Sequence, residues 1–201
     1  MDKLSYALGM SIGQSLVGTG VKELTFDDFL SGVKVCFTGE DPEISPEFCN
    51  QILKVYFDKI KKEQEEKVRK ESKENLKKAD EYLNENTKKL DVMTTDSGLQ
   101  YKVITEAYGK QPGPHSRVRV HYEGRLTDGT VFDSSYKRGT PTEFGLGQVI
   151  PGWTEGLQLM KEGSIYEFTI PPALGYGEVG VPGHIPGNSV LIFKVELIKV
   201  M

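Results

Sequence analysis

The sequence contains few of the residues that mark disulfide-rich or metal-binding proteins. Its two cysteines, Cys36 and Cys49, both lie in the N-terminal third, and their spacing fits neither a disulfide framework nor a set of metal ligands. We interpret them as buried, reduced thiols, which is consistent with a reducing cytoplasm. A trimmed periplasmic protein would show the same pattern.

Long apolar runs and an excess of basic residues are also missing. No stretch approaches the roughly 20 apolar residues that a membrane-spanning helix needs, and the first residues lack the features of a secretion signal. The net charge of −4 provides no positive field for a phosphate backbone. We therefore expect a cytoplasmic protein that neither inserts into a membrane nor binds nucleic acid. A periplasmic location is the alternative if a signal peptide has been removed.

The composition changes twice along the chain and so predicts three regions. Residues 1–44 contain short apolar-periodic segments, residues 45–91 are dominated by charge, and residues 92–201 are rich in β-branched residues, Gly and Pro. In the first region apolar residues recur at helical spacing in two sets, Leu4, Leu8, Ile12 and Leu16, and then Phe26, Phe29, Leu30, Val33 and Phe37. Two amphipathic helices are predicted. They are too short to bury a core alone, so a second copy of the chain is the expected partner.

The second region predicts one long helix. Residues 45–47 supply an N-cap serine, a proline at the first helical position and an acidic residue in the first turn. An apolar stripe continues to Ile60, so the first turns can pack with the N-terminal helices, but beyond it charged residues occupy all sides. We expect a solvent-exposed spacer helix over residues 46–89. A disordered linker is the alternative, although strong helix formers and the absence of Gly and Pro over residues 61–78 disfavour it.

The third region has the alternation of half-buried strands. Apolar and polar residues alternate over three segments, residues 117–123, 166–170 and 191–197. Asp128-Gly129 is a hairpin turn signal, and Trp153, Leu157 and Met160 share one face of a short helix. The pattern predicts an α+β fold in which one helix covers an antiparallel sheet.

Several blocks of this region resemble the signature blocks of the FKBP family of peptidyl-prolyl cis-trans isomerases, in the same order. They are VHYEG at 120–124, GTVFDSS at 129–135, VIPGW at 149–153, LGYG at 174–177, and Ile185-Pro186 followed by LIFKVEL at 191–197. The resemblance implies a curved antiparallel β-sheet wrapped on one short α-helix and an enzyme that accelerates X-Pro isomerisation in folding proteins. The layout of the whole chain resembles the Mip-like bacterial FKBPs. This likeness implies a V-shaped homodimer joined through the N-terminal helices, with chaperone-like binding of clients.

The resemblance also implies the site residues. Four would be catalytic: Tyr122, Phe132, Asp133 and Tyr176. Seven would bind the substrate: Arg138, Phe144, Val149, Ile150, Trp153, Ile185 and Phe193. It further implies that Asp133 pairs with Arg138 at the pocket wall, and that the Tyr176 hydroxyl and the Ile150 N–H donate to substrate carbonyls.

The chemistry of X-Pro isomerisation fits such a pocket. The barrier comes from amide resonance, so a dry, apolar pocket that favours the twisted amide is sufficient. We expect no cofactor and no metal. Simpler interpretations remain open, because Trp153 and Phe193 could be plain core and Asp133 could cap a turn. Alternation directs His121 outward, and the sequence suggests no Ser or Cys partner for any histidine.

Three features depart from the best-known small eukaryotic members, namely Thr142, Val181 and a shorter stretch over residues 145–148. They lie at the rim, so we expect them to alter substrate preference and the affinity for macrolide inhibitors of the FKBP class rather than activity. The expected partners are proline-containing unfolded or partly folded proteins. The rival hypotheses are a holdase that binds such segments without turnover and a purely structural dimeric tether.

Overall fold

The computed structural model describes residues 1–201 and divides into two compact units, Met1–Glu66 and Lys67–Met201. The first unit contains helices α1 (Lys3–Gly18) and α2 (Phe26–Thr38) together with the first half of α3 (Pro46–Asn86). The three predicted N-terminal helices are therefore present. None of the helices is both long enough and apolar enough to cross a membrane.

Local capping explains where these helices begin. The Asp2 carboxylate accepts a hydrogen bond from the Ser5 N–H at 2.7 Å at the start of α1, and Ser45 Oγ accepts one from the Phe48 N–H at 3.2 Å at the start of α3. Such bonds satisfy N–H groups that have no partner within the helix. Thr25 occupies the N-cap position of α2, but its side chain makes no capping hydrogen bond.

The first unit leaves its apolar side chains uncovered. Neither α1 nor α2 contains a buried residue, and Phe37 at the end of α2 is 88% exposed. Cys36 is also exposed and Cys49 is only half-buried. The expectation of two buried thiols was wrong, because a region this small buries almost no side chain by itself.

The second half of α3 belongs to the second unit, which begins at Lys67, whereas the sequence predicts the boundary at residue 92. Its buried face consists of small and polar side chains two turns apart, with Asn75 half-buried beside them. We name this surface the docking face: Ser72, Asn75, Ala79 and Asn86. The larger apolar residues Val68 and Leu76 are exposed. The spacer is thus packed over its second half, through residues that hydrophobic periodicity does not detect.

The second unit is built on a seven-stranded antiparallel sheet in the order β1-β2-β6-β7-β3-β4, with β5 also paired to β3. The strands are β1 Met93–Thr94, β2 Gln100–Thr105, β3 Arg117–Arg125, β4 Val131–Ser134, β5 Thr142–Gly145, β6 Ile165–Ile170 and β7 Leu191–Val200. Two short helices, α4 (Ser135–Arg138) and α5 (Pro151–Leu157), complete it. The three strands predicted from alternation correspond to β3, β6 and β7.

The core lies between α5 and the sheet. Inward positions of β3 are buried, as alternation requires, and Trp153 and Leu157 on α5 are buried against them. Gly156 permits close packing, because a Cβ there would lie 2.7 Å from the Phe168 ring. Met160 is fully buried although α5 ends before it. The predicted α+β fold with one covering helix is confirmed.

The predicted hairpin between β3 and β4 places the next strand beside the pocket. The Leu126 N–H donates to Thr130 O at 2.9 Å, and the Asp128 carboxylate accepts from the Thr130 N–H at 2.8 Å. Gly129 has φ 89°, a conformation that favours glycine. This turn sets the register in which Gly124 faces Asp133 across the two strands.

Candidate active site

A cavity of about 640 Å³ opens beside the sheet and α5. Its lining consists of Tyr122, Phe132, Asp133, Phe144, Gln148, Val149, Ile150, Trp153, Tyr176, Val181, His184, Ile185 and Phe193. The structure therefore brings together all the predicted site residues except Arg138, which lies behind Asp133. Gln148, Val181 and His184 are additional lining residues that the sequence did not assign to the site. Gln148 and Val181 belong to the features that the sequence analysis expects at the rim, and this was the available signal for them.

Trp153 is the centre of an aromatic cluster in this cavity. Its ring meets Tyr122, Phe144 and Phe193 edge-on, with centroids 5.2 to 5.3 Å apart. Edge-to-face packing is a preferred aromatic geometry and fixes each ring against its neighbours. The indole Nε1–H is buried and has no hydrogen-bond partner. The cluster is thus a rigid apolar surface that contains one unused donor.

Gly124 makes room for the other side of the pocket. Phe132 packs edge-on against Phe193 at 5.4 Å, and a Cβ on Gly124 would lie within 2.7 Å of both rings. Any side chain at this position would displace them. The glycine of the VHYEG block is therefore required by the rings that line the pocket.

A polar triangle forms one wall. The Tyr122 hydroxyl on β3 donates to the Asp133 carboxylate on β4, and Arg138 on α4 donates to the same carboxylate. Arg138 also donates to the Tyr122 hydroxyl at 2.9 Å. Ser134 caps α4 by accepting from the Lys137 N–H. The short helix thereby brings the guanidinium to the back of the pocket wall.

The charges of this triangle are fixed at neutral pH. Burial raises the pKa of Tyr122, and its hydrogen bond to Asp133 adds to the rise. Burial opposes ionisation of Asp133, but hydrogen bonds from Tyr122 and Arg138 outweigh it, so the pKa of Asp133 is lowered. The hydrogen bond to Asp133 also raises the pKa of Arg138. The hydroxyl proton of Tyr122 is thus engaged by the Asp133 carboxylate.

The other titratable groups form no second reaction centre. Ser135 Oγ lies 2.9 Å from His121 Nδ1, a histidine–serine pair that the sequence did not suggest. Ser135 is fully buried and also bonds to the N–H and C=O of Tyr122, so it links α4 to β3 and is inaccessible as a nucleophile. No group of three or more His, Cys, Asp or Glu side chains is placed to hold a metal ion.

An antiparallel sheet covered by one short helix, with an aromatic pocket and a Tyr–Asp–Arg triangle, defines an FKBP-type domain. The family model described as "FKBP-type peptidyl-prolyl cis-trans isomerase" matches residues 109–198. A second one, "Domain amino terminal to FKBP-type peptidyl-prolyl isomerase", matches residues 1–103. The chain belongs to the FKBP-type peptidyl-prolyl cis-trans isomerase family, and the predicted enzyme class is confirmed.

Similar proteins extend over nearly the whole chain. The FKBP-type 22 kDa peptidyl-prolyl cis-trans isomerase of Escherichia coli is 40% identical over 98% of this chain and 94% of its own length. The outer membrane protein MIP of Legionella longbeachae is 39% identical over 99% of this chain and 85% of its own. The crystal structure of FkpA from Escherichia coli matches with a TM-score of 0.76 and 39% identity, over 98% and 95% of the two chains. The predicted Mip-like layout is confirmed, whereas the name of the Legionella relative gives no support to a cytoplasmic location.

Proposed function

We propose that the cavity binds the prolyl ring of an X-Pro segment and accelerates isomerisation by favouring the twisted amide. The observation that carries this proposal is the apolar pocket around Trp153. The uncatalysed barrier of roughly 18–20 kcal/mol reflects amide resonance, which the twisted state gives up. Because that state is less polar than the planar amide, withdrawal from water favours it. No covalent step is needed.

Two donors hold the carbonyl groups that flank the proline. The Tyr176 side chain is 41% exposed at the rim, and the Ile150 N–H takes no part in the backbone hydrogen bonds of the protein. Tyr122 acts differently, because its hydroxyl proton is held by Asp133. Tyr122 and Arg138 keep the Asp133 carboxylate ionised and oriented, so Asp133 contributes a fixed negative charge at the pocket wall.

A proline-limited refolding assay, combined with turnover of an Xaa-Pro tetrapeptide, tests this function. Uncatalysed isomerisation takes tens to hundreds of seconds, so acceleration is easily observed. We expect acceleration that grows with the concentration of the enzyme. Binding of unfolded protein at about micromolar enzyme without any acceleration of its refolding would favour the holdase hypothesis instead.

We further propose that the first unit forms a homodimer and contributes to the binding of proline-containing, partly folded proteins. Its uncovered apolar side chains support this, among them Phe26, Leu30 and Phe37, because soluble monomers rarely leave large apolar patches open. Light scattering tests the proposal, and a single-chain mass for the full-length protein would refute it. A chain shortened to residues 67–201 should be monomeric.

The pocket is also expected to accept macrolide inhibitors of the FKBP class. Trp153 is the only tryptophan and lines the pocket, so its fluorescence reports occupancy directly. Val181 contacts the cavity, and Thr142 receives a long hydrogen bond of 3.4 Å from Arg138. Titration of the wild-type chain and of Val181→His should therefore yield different dissociation constants. Identical constants would show that Val181 does not affect the affinity.

For the location we propose the periplasmic alternative over the cytoplasmic one. Its support is the name of the Legionella relative, an outer membrane protein. Immunodetection in fractionated cells of the source organism decides between the two, and recovery with the cytoplasmic fraction alone would refute the proposal.

A further inference from the structure

One stretch of chain, residues 176–188, carries much of the pocket rim, and we name it the rim segment. Four of the cavity-lining residues lie on it: Tyr176, Val181, His184 and Ile185. Backbone hydrogen bonds close the segment on itself. Val181 and Ile185 exchange two of them at 2.8 Å, and the Asn188 N–H donates to Gly177 O at 2.8 Å.

The two sides of the rim segment are in direct backbone contact. A Cβ on Gly180 would lie 2.1 Å from Ile185 O, and a Cβ on Gly187 would lie 2.0 Å from Glu178 O. No side chain separates the two sides at these glycines. These contacts and the backbone hydrogen bonds connect the base of the segment to the residues that line the pocket.

The base of the rim segment is bonded to the docking face of α3. Ser72 Oγ donates to Glu178 O at 3.1 Å, and Asn75 Nδ2 donates to Gly187 O at 3.0 Å. Asn188 Nδ2 donates to Ser72 O at 3.0 Å and to Ser72 Oγ at 2.9 Å. We name Ser72, Asn75 and Asn188 the helix–rim clasp.

Two of the three clasp residues are buried, and one has an uncommon backbone conformation. Ser72 and Asn188 are buried, where polar atoms need hydrogen-bond partners. The Asn188 amide donates to Ser72, so each residue satisfies polar atoms of the other. Asn188 is the one non-glycine residue with a positive φ, 55°, a conformation that asparagine tolerates better than most residues. The residue with this backbone conformation is the one whose side-chain amide binds Ser72 on α3.

We propose that the helix–rim clasp positions the isomerase pocket: Ser72, Asn75 and Asn188 are positioning residues that hold the rim segment where Tyr176 and Ile185 meet an X-Pro substrate. The proposal rests on the function of the pocket proposed above. If the clasp is broken, the rim segment occupies several positions and the pocket is competent only part of the time. The apparent affinity falls by that competent fraction, whereas a saturating substrate still selects the competent form. KM therefore rises while kcat is retained.

The test measures kcat and KM separately on an Xaa-Pro tetrapeptide, with the full-length chain as Ser72→Ala, Asn75→Ala and Asn188→Gly. Glycine readily adopts the positive φ of residue 188, so this substitution removes the side-chain amide without straining the backbone. We expect KM to rise about 3- to 10-fold, with kcat within about twofold of wild type. The double variant Ser72→Ala/Asn188→Gly should exceed Asn188→Gly only slightly, because the two residues share hydrogen bonds.

Two variants on the same helix are the controls. Asn84→Ala changes an exposed asparagine, and Asn86→Ala removes a docking-face asparagine that bonds to Gln100 and Thr169 instead of the rim segment. Both should keep the wild-type KM. Thermal melts establish that each variant is folded at the assay temperature. If Asn188→Gly does not fold, Asn75→Ala remains informative, because it leaves the hydrogen bonds between Ser72 and Asn188 intact.

An unchanged KM in folded Ser72→Ala and Asn75→Ala would overturn the proposal. An equal rise of KM in Asn86→Ala would overturn it too, since any loosening of the helix would then suffice. A wild-type chain that binds no tetrapeptide is a different result, because it would refute the proposed pocket function rather than the role of the clasp.

Discussion

Tyr122, Trp153 and Phe193 are core residues and pocket residues at the same time. Each is at most 5% exposed, yet each lines the cavity. Truncating any of them would cost about 3–5 kcal/mol of stability, as for other large buried rings, and this loss would obscure an effect on turnover. Phe132 and Tyr176 are less buried, so they separate the two effects.

We predict that Phe132→Ala and Tyr176→Ala lower kcat/KM by about tenfold, which corresponds to about 1.4 kcal/mol of transition-state stabilisation. Tyr176→Ala should change the melting temperature little, because its side chain is partly exposed. Tyr108→Ala is the matched control, since Tyr108 is exposed and lies outside the pocket lining. Turnover and thermal melts are compared for all three variants, and wild-type turnover in both pocket variants would exclude these residues from the site.

The polar triangle predicts a flat pH dependence of kcat/KM between about pH 5 and 9, because the pKa of Asp133 lies below this window and those of Tyr122 and Arg138 lie above it. The pKa of Asp133 lies below its usual 3.8, so its contribution to stability is present above pH 3.8 and is lost as the pH falls through the lower folded value. The pKa of Tyr122 lies above 10.0, so its contribution is lost as the pH rises beyond that value.

Asp133→Asn should then lower kcat/KM by only about 3- to 10-fold, less than the loss of a general base, because no proton is transferred. The pH profile of the variant should stay flat. A bell-shaped profile near neutrality in the wild-type chain would show that a titrating group acts in the reaction and would contradict the electrostatic role of Asp133.

At the scale of elements, the second half of α3 packs without large apolar residues. Ser72, Ala79 and Asn86 recur every seven residues and form one face of the helix. The Asn86 amide donates to Gln100 Oε1 at 2.8 Å, and Gln100 in turn donates to Leu83 O at 2.9 Å. Hydrogen bonds between buried polar groups take the place of a hydrophobic stripe here.

We predict that Asn86→Ala destabilises the second unit by about 1–3 kcal/mol, because it leaves the buried Gln100 carbonyl without its donor. Asn84→Ala, on the exposed side, should stay within about 0.5 kcal/mol of wild type. Denaturant melts followed by Trp153 fluorescence measure both, since the only tryptophan lies in this unit. Equal stabilities of the two variants would argue against a docked helix.

At the scale of the whole molecule, all residues that line the pocket belong to the second unit. Shortened chains can therefore separate the contribution of the pocket from that of the first unit. We predict that residues 67–201 match the full-length chain on an Xaa-Pro tetrapeptide but accelerate refolding of a proline-limited protein less. The reason is that the proposed dimer, with the proposed client-binding surfaces, would raise the effective concentration of the substrate, which a short peptide cannot exploit. Equal refolding rates would show that the first unit does not serve catalysis on proteins.

Residues 92–201 provide a third arm of this comparison. The sequence alone suggests that this fragment would equal the full-length chain on a tetrapeptide, since it contains every pocket residue. The structure changes that expectation, because the fragment lacks Ser72 and Asn75 and so cannot form the helix–rim clasp. Its KM should resemble that of Ser72→Ala, whereas a wild-type KM would contradict the proposed positioning.

The sequence by itself determined the α+β fold, the long helix, the Mip-like layout and the candidate pocket residues. Alternation, helical spacing, caps and signature blocks are local patterns, and local patterns are what a sequence displays directly. Only the tertiary structure decided that α3 packs through Ser72, Ala79 and Asn86, because these small and polar residues resemble a solvated face until their partners are in place. It likewise decided that Asp133 engages the Tyr122 proton, since hydrogen bonds between side chains distant in sequence depend on how the strands and helices are brought together.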